Sequence, residues 1–491
     1  MVNRGRPSRD CLPCRKRKLR CDLRPDGCGQ CSRAGMACLG YRTQEELRFR
    51  DQTQSVKRKV QYHAQTEAYR KRKAQNDARL FQTVHIGWDV FAKQDFFTNF
   101  VFGLARSYDA LGILYQRTHP PDHLVASVDA ASLAFFALRQ FAPSSDLTKL
   151  ATERYVAALH LVNAALADPV ASLADDTLQS ILLLDLYEKL FSRRQTSTRS
   201  CMKHMNGAIS LIRARGEGNL QTYVGRRLTQ RLYTTLVISC AISGMRIPDD
   251  MERLRVDLSR YVKVDEDPKW ALTTLNEKII NFTSDVKTGK ISCRERIMAH
   301  ALEFYRLTTT LEDTLPPYWT PKRVFVGDDG LGRELTLTGS YDVYESLYFT
   351  QVRNVIRTAQ INLLLTIEQL AASKDPDLAA STRKSIERKA RAICDSLGQY
   401  LVSRDENGAL TWDLAAPMQQ LGTYTIFFPL YLAVQASRDG RLGGWAQNVL
   451  GLVADVGGLA MAQRTADALQ ANANMSSWDV YTMLGSYAIA A

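Results

Sequence analysis

The chain has 491 residues and ten cysteines, and its 64 lysines and arginines outnumber its 51 aspartates and glutamates by 13. Residues 1–80 hold 21 of the basic and 8 of the acidic side chains, so residues 81–491 hold 43 of each. All of the excess positive charge therefore lies near the N-terminus, as in a nucleic-acid-binding module joined to a neutral body. No apolar segment follows Met1, which argues against a secreted, disulfide-bonded domain.

Six of the ten cysteines form an internal duplication near the N-terminus. Each copy has the spacing C-x₂-C-x₆-C, and the second copy begins 17 residues after the first. A gap of two residues lets one turn direct both sulfurs at a single metal ion, so the spacing predicts zinc rather than disulfides. Six thiolates can serve two zinc ions if two sulfurs bridge the metals, and the duplication favours this over one four-cysteine site. The predicted ligands are Cys11, Cys14, Cys21, Cys28, Cys31 and Cys38.

The remaining four cysteines stand alone in apolar, helix-like stretches. In a reducing compartment such thiols behave as small apolar side chains, so we expect them to be buried. They are Cys201, Cys240, Cys293 and Cys394.

The two cysteine copies differ in charge. Arg33 is the only charged residue between Cys31 and Cys38, whereas the matching interval of the first copy holds five basic residues. A short cationic helix can enter the major groove, where lysine or arginine donates to guanine O6 and N7. We therefore expect the first copy to contact DNA and the second to act as a scaffold. The five basic residues are Arg15, Lys16, Arg17, Lys18 and Arg20.

The run CLPCRKRKLRCDLRPDGCGQCSRAGMAC resembles the DNA-binding cluster of fungal binuclear zinc transcription regulators. The six cysteine spacings, the basic run, the pair Cys21-Asp22 and the loop residue Pro25 carry the resemblance. It implies recognition of CGG-type triplets by Lys18, with Arg15, Arg17 and Arg20 nearer to phosphates. It also implies that Cys11 and Cys28 bridge two zinc ions, and that each ion is completed by one further pair, Cys14 with Cys21 or Cys31 with Cys38.

The expected DNA-binding domain spans residues 1–42, including a basic arm at its start, and a basic linker follows over residues 43–83. The linker holds two basic clusters separated by ten residues, a spacing typical of nuclear import signals. The best heptad register in the linker fails after two apolar positions, so the linker sequence does not predict a coiled coil. Whether the protein is a homodimer therefore stays open. The predicted import residues are Lys57, Arg58, Lys59, Arg70, Lys71, Arg72 and Lys73.

From residue 84 to residue 491 apolar residues recur mainly with a helical period, which predicts a large all-α domain. Its size allows two packed subdomains, and the proline- and glycine-rich stretch 316–339 is the expected internal loop. Residues 175–191 are apolar nearly all round and should form a central buried helix. The predicted helices cover 123–141, 147–165, 175–191, 199–215, 220–243, 291–312, 342–372, 378–402 and 441–468.

The segments 93–101, 175–188 and 204–216 resemble the helical regulatory region of filamentous-fungal members of the same family. The resemblance implies control of RNA polymerase II genes, in many members those of a metabolic gene cluster for secondary metabolism. It implies a nuclear protein whose partners are double-stranded DNA, transcription machinery or coregulators, and in some members a small-molecule effector.

The sequence also leaves other classes of protein open. No metalloprotease, hydrolase, Walker or Rossmann motif is present, which favours a non-enzymatic protein over an enzyme or ligand-binding domain tethered to DNA. A metal-storage or redox-sensing protein would not need the cations that follow Cys14. The apolar segment 425–434 is too short for a membrane span, so we expect no membrane partner.

Overall fold

A computed structural model describes residues 8–43, 87–104, 108–139, 145–191, 203–262, 267–326, 330–404, 410–413, 425–456 and 459–471. The chain divides between Val84 and His85 into two compact units. The predicted linker and import residues lie outside the described residues, as does the arm before residue 8.

The N-terminal unit contains two short helices, α1 (Leu12–Arg17) and α2 (Gly29–Arg33). Pro13 occupies the first turn of α1, where a missing N–H costs no hydrogen bond. Helices of six and five residues are far too short to be stable alone in water. The buried residues between them are thiols, so the helices depend on whatever the sulfurs bind.

The C-terminal unit is largely helical, as predicted. Helical residues 87–95 run into a π-helical segment, Phe96–Leu104. The next α-helices are α3 (Asp109–Tyr115), α4 (Asp122–Arg139), α5 (Ser145–Ala167), α6 (Asp175–Phe191), α7 (Lys203–Arg215), α8 (Tyr223–Ser243), α9 (Asp249–Leu258) and α10 (Pro268–Lys287). They are followed by α11 (Arg294–Asp313), α12 (Gly330–Leu335), α13 (Leu347–Ala371), α14 (Pro376–Asp395), α15 (Phe427–Ala436), α16 (Gly440–Asp455) and α17 (Ala460–Gln470).

Buried apolar side chains of the C-terminal unit form one main cluster, with members from Ala92 to Leu469. Helix α6 lies in this cluster and is buried along almost its whole length, which agrees with its apolar sequence. Its buried charges, Asp185 and Lys189, pair at 2.6 Å one turn apart, so neither is left without a counter-ion. A smaller apolar cluster around Trp319 is separate from the main one.

Several predicted elements differ in the structure. The helix predicted over 378–402 ends at Asp395, and the rest of that range forms a 3₁₀ turn and the start of a strand. The helix predicted over 441–468 is two helices, α16 and α17. Helix α10 was not predicted; Asp267 caps its first turn, and Pro268 follows. The apolar segment 425–434 lies largely in helix α15, with Pro429 in the first turn.

The stretch 316–339, expected as a loop, has regular structure. Strand β1 (Lys322–Phe325) pairs antiparallel with β2 (Ser340–Val343), and Arg323 lies opposite Asp342. A second ladder joins β3 (Val402–Arg404) to β4 (Leu410–Trp412). Both are short additions to a helical body, which is why the sequence shows little strand periodicity.

The isolated cysteines are only partly as expected. Cys240 and Cys394 are buried in the main apolar cluster. Cys293 is exposed, because it precedes the first turn of α11 and forms the edge of that helix rather than its packed face. Cys201 lies outside the described residues. No described helix has both the length and the apolar character needed to cross a membrane.

A fragment of residues 84–491 is expected to be mainly helical and to lack DNA affinity, since residues 81–491 carry equal numbers of basic and acidic side chains. Circular dichroism and DNA-binding titrations at physiological salt test both points. Tight DNA binding by this fragment would contradict the separation of the basic module from the body.

Candidate metal centre and DNA-binding surface

The six N-terminal sulfurs fall into two overlapping groups of four. One group contains Cys11, Cys14, Cys21 and Cys28, and the other contains Cys11, Cys28, Cys31 and Cys38. Within each group the sulfurs lie within 4.8 Å of one another, close enough to surround one ion. The two groups share Cys11 and Cys28, whose sulfurs are 3.6 Å apart. Four-thiolate groups are a preferred zinc environment, and two shared sulfurs let six ligands serve two tetrahedral ions.

The shared sulfurs lie at the centre of the unit. Cys28 Sγ is 3.5 Å from Cys14 Sγ and accepts a hydrogen bond from the Cys31 N–H at 3.3 Å. Cys11, Cys14, Cys28 and Cys31 have no solvent exposure, whereas Cys38 is partly exposed. The described N-terminal unit therefore uses its sulfurs as its core, in place of large apolar side chains.

The sequence duplication is repeated in the backbone. The Leu19 N–H donates to Cys14 O at 3.0 Å, and 17 residues later the Met36 N–H donates to Cys31 O at 3.0 Å. Each bond closes the turn that ends a helix of the cluster. The two copies therefore share one local fold, although their side chains differ.

Two residues of the first copy have left-handed backbone conformations, Lys18 with φ 53° and Leu23 with φ 51°. Their counterparts 17 residues later are glycines, Gly35 with φ 60° and Gly40 with φ 79°. This conformation costs a side-chain-bearing residue about 1–2 kcal/mol but costs glycine almost nothing. The first copy thus has Lys18 and Leu23 at two positions where the left-handed backbone conformation favours glycine.

Asp22 links the two copies, a role the sequence did not reveal. Its carboxylate accepts the Gly29 N–H at the start of α2, at 2.9 and 3.1 Å, and pairs with Arg24 at 3.2 Å. A β-carbon at residue 29 would lie 2.8 Å from Asp22 Oδ2, too close for van der Waals contact. The glycine therefore permits this cap. In the sequence, the only feature that pointed to Asp22 was the Cys21-Asp22 pair.

Further contacts close the unit around the sulfurs. Tyr41 packs against the thiols, and its hydroxyl donates to Arg24 O. Arg17 Nη1 donates to Met36 Sδ at 3.6 Å, from the first copy to the second. Neither Tyr41 nor Met36 was a predicted site residue.

The five predicted DNA-binding residues do not share one environment. Lys16, Arg17, Lys18 and Arg20 are exposed. Arg15 is half-buried, and its Nε is shielded from solvent with no hydrogen-bond acceptor among the described residues. Four cations are therefore presented to solvent along and just after α1, and the second copy offers Arg33 at the corresponding helix.

Two thiols of the cluster differ in acidity. Burial raises the pKa of Cys14 to about 12. At Cys28 burial acts in the same direction, but hydrogen bonds from the Cys31 N–H and neighbouring thiols outweigh it and lower the pKa to about 6. A zinc ion entering this site must therefore displace the proton of Cys14, which makes binding weaker as the pH falls.

Two family models match this chain. Residues 9–47 match the fungal Zn(2)-Cys(6) binuclear cluster domain, and residues 94–285 match the fungal specific transcription factor domain. Searches of curated proteins and of solved structures find no match. The chain thus contains the zinc cluster and the helical regulatory domain of fungal binuclear zinc regulators, which confirms the resemblance seen in the sequence. It is a DNA-binding transcription regulator whose cluster domain binds two zinc ions.

Elemental analysis of the purified chain is expected to give two zinc ions, and chelation or acidification should unfold the N-terminal unit, because metal binding supplies its folding free energy. Cys28→Ser should lower the content below two, since Cys28 belongs to both sulfur groups. Cys293→Ser, which changes an exposed thiol outside the cluster, should retain two. One zinc ion or none in the wild type, with a Cys11–Cys28 disulfide, would contradict the shared-sulfur centre.

Proposed function

We propose that the first cysteine copy reads CGG-type triplets in the major groove through Lys18, and that the protein thereby controls RNA polymerase II genes. The observation that carries this proposal is the left-handed backbone of Lys18. Its duplicate position holds Gly35, the residue that this conformation favours. Unfavourable backbone conformations persist mainly where a side chain has a function, and an exposed lysine is a suitable donor to guanine.

The neighbouring cations have a different role in this proposal. Lys16, Arg17 and Arg20 bind phosphates, which position the cluster on the duplex without reading its sequence. Arg15, whose Nε is shielded, acts closer to the thiolates and balances part of their charge. Six thiolates on two zinc ions carry a net charge of minus two, so the cluster needs cations before it can approach a phosphate backbone.

The ligand assignment is part of the same proposal. Cys11 and Cys28 bridge the two zinc ions, and each remaining pair completes one ion. The overlap of the two sulfur groups at these residues supports it. Residues 1–42 then form the DNA-binding domain, 43–83 a linker with the import signal, and 84–491 the regulatory domain.

The helical body is proposed to regulate transcription and not to catalyse a reaction. Its match to the fungal specific transcription factor domain supports this role. The target genes are proposed to include a metabolic gene cluster, with coregulators as partners of the body. Genome-wide mapping of bound DNA in the native host tests the targets: enrichment of CGG-type triplets upstream of co-located genes is expected.

Lys18→Gly is expected to remove the preference for CGG-containing over scrambled duplex, while the zinc domain becomes no less stable. The reason is that glycine relieves the backbone cost and removes the guanine contact, worth about 1–3 kcal/mol. Parallel titrations of both duplexes, with thermal unfolding, measure the two effects separately. Arg33→Ala is the control in the second copy and should change binding little. If Arg33→Ala removed the preference and Lys18→Gly kept it, the assignment of the two copies would be reversed.

Arg20→Ala should weaken binding to both duplexes alike and reduce the slope of log affinity against log salt by about one. This is the effect of one lost phosphate contact, and it differs from the loss of sequence preference expected at Lys18. Titrations at several salt concentrations provide the slope. A changed sequence preference with an unchanged slope would instead make Arg20 a base-reading residue.

Nuclear accumulation should fall when both basic clusters of the linker are made neutral, from Lys57 to Lys59 and from Arg70 to Lys73, because import signals require such charges. A fluorescent fusion expressed in a fungal cell provides the measurement. Neutral substitution of either cluster alone is the matched comparison. A fusion that stays fully nuclear after both changes would place the signal elsewhere in the chain.

A further inference from the structure

Lys269 lies in the helical body, and among the described residues its ammonium group has no hydrogen-bond acceptor and no carboxylate in an ion pair with it. It lies in the first turn of α10, and its Nζ is 6.0 Å from the centre of the Tyr348 ring at the start of α13. Within the described residues its side chain forms no hydrogen bond and no ion pair. Other half-buried or buried cations of the described body do have such partners: Lys189 pairs with Asp185, and Lys389 pairs with Glu312.

The surroundings of Lys269 are positively charged. Burial of the ammonium group, together with Arg231 and Arg227, lowers the pKa of Lys269 to about 8, and Asp267 opposes this only in part. The Asp267 carboxylate is already engaged: it accepts two backbone N–H groups of α10, and the Gln230 amide at 3.1 Å. The Asp109 carboxylate is engaged by Arg227, whose Nε–H is shared between its two oxygens at 3.0 and 2.9 Å.

The two arginines have partners of their own. Arg227 is held by Asp109, and Arg231 donates to the Tyr108 hydroxyl at 2.7 Å with its guanidinium 4.0 Å from that ring's centre. Lys269 is therefore the cation at this place that has no polar partner among the described residues. One unmatched positive charge calls for a ligand with one negative charge rather than for a phosphate dianion.

The same place has an aromatic surface. Trp319 stacks on Phe349 with ring centres 4.2 Å apart and meets Tyr348 edge-on at 5.8 Å. Leu272, one turn after Lys269, packs into this cluster and links the lysine's helix face to the rings. Tyr318 is 59% exposed, and Tyr348 and Phe349 are partly exposed. Part of this aromatic surface is therefore open to solvent.

A second donor in this cluster also lacks an acceptor. Trp319 is only 3% exposed, and its indole Nε1 is buried without a hydrogen-bond partner in the described residues. A buried N–H without an acceptor costs about 1–3 kcal/mol, so such groups in native structures are usually satisfied. Around Tyr348 there are thus a cation and an N–H donor, both without acceptors among the described residues, beside partly exposed aromatic rings.

We infer that Lys269, Tyr348 and Trp319 form the core of a binding site for an aromatic monocarboxylate, with the carboxylate at Lys269 and the ring against the aromatic cluster. The inference rests on the proposed function in one respect: such an acid would be the small-molecule effector of the regulatory body. Binding of the acid is a property of the body itself. It is measured without DNA, so its failure would leave the reading of CGG triplets by Lys18 untouched.

The test is isothermal titration of the full zinc-loaded chain with benzoate and 1-naphthoate, each beside its neutral amide. We expect at least one acid to bind with one-to-one stoichiometry, and its amide to bind at least tenfold more weakly. Lys269→Met should weaken binding of that acid at least tenfold. Lys278→Met is the matched control, because Lys278 is an exposed lysine of the same helix, and it should leave the affinity unchanged.

Further measurements test the inference even if the Lys269→Met variant does not fold. Lys269→Arg retains the charge and should still bind the acid, and the contrast between acid and amide needs no variant at all. The quenching of tryptophan fluorescence by 1-naphthoate should decrease in Trp319→Phe. Binding of neither acid to the wild type, equal binding of acid and amide, or equal affinity of Lys269→Met would each overturn the inference.

The chain itself could supply the negative charge, since Asp265 and Glu266 precede Asp267 but lie outside the described residues. The double variant Asp265→Asn with Glu266→Gln separates the two occupants. Under our inference the wild type binds the acid and the double variant does so at least as well. Acid binding by the double variant alone would mean that the chain fills its own site, which overturns the inference.

Discussion

The overlap of two four-sulfur groups at Cys11 and Cys28 is the constraint on which the N-terminal unit depends. Its two helices have six and five residues, and its buried core is thiol rather than hydrocarbon, so neither helix propensity nor apolar burial can hold it together. The overlap of the sulfur groups at Cys11 and Cys28 allows one compact centre to fix both helices. Two zinc ions held by six thiolates would carry a net charge of minus two, which would repel DNA. Under the proposed function, the basic run after Cys14 therefore serves the metal centre as well as the nucleic acid.

The two cysteine copies share one backbone fold but differ in their side chains. Corresponding backbone hydrogen bonds recur 17 residues apart, and both copies end their helices in a left-handed residue. In the second copy this residue is Gly35, and the link from Asp22 to Gly29 fixes that copy's helix to the first. In the first copy Lys18 occupies the position despite its backbone cost. Stability thus favours glycine at both positions, and the departure from glycine occurs only in the cationic copy.

The sequence predicted the features that depend on residues close together in the chain, and it missed those that depend on contacts between distant residues. The metal centre followed from cysteine spacing, because ligands two residues apart share one turn. Helix α6 followed from its apolar composition. The end of α14 at Asp395 was missed, since the 3₁₀ turn that follows packs against β2, which is distant in sequence, and strand β3 then pairs with β4. Cys293 was wrongly expected to be buried, because its helix begins only after it. The Asp22 cap joins residues seven apart through side-chain geometry, which periodicity does not contain.

The neutral charge balance of the helical body is matched by internal pairing. Arg323 bridges Asp342 and Asp395, both nearly buried, at 2.9 and 2.8 Å. Glu312 is held between Lys389 and Arg353, and these pairs connect helices distant in sequence. Cations that are paired within the body in this way are not available for phosphate contacts. Lys269 differs from these paired cations, because its half-buried ammonium group has no ion pair among the described residues. Such a charge points to a partner from outside those residues.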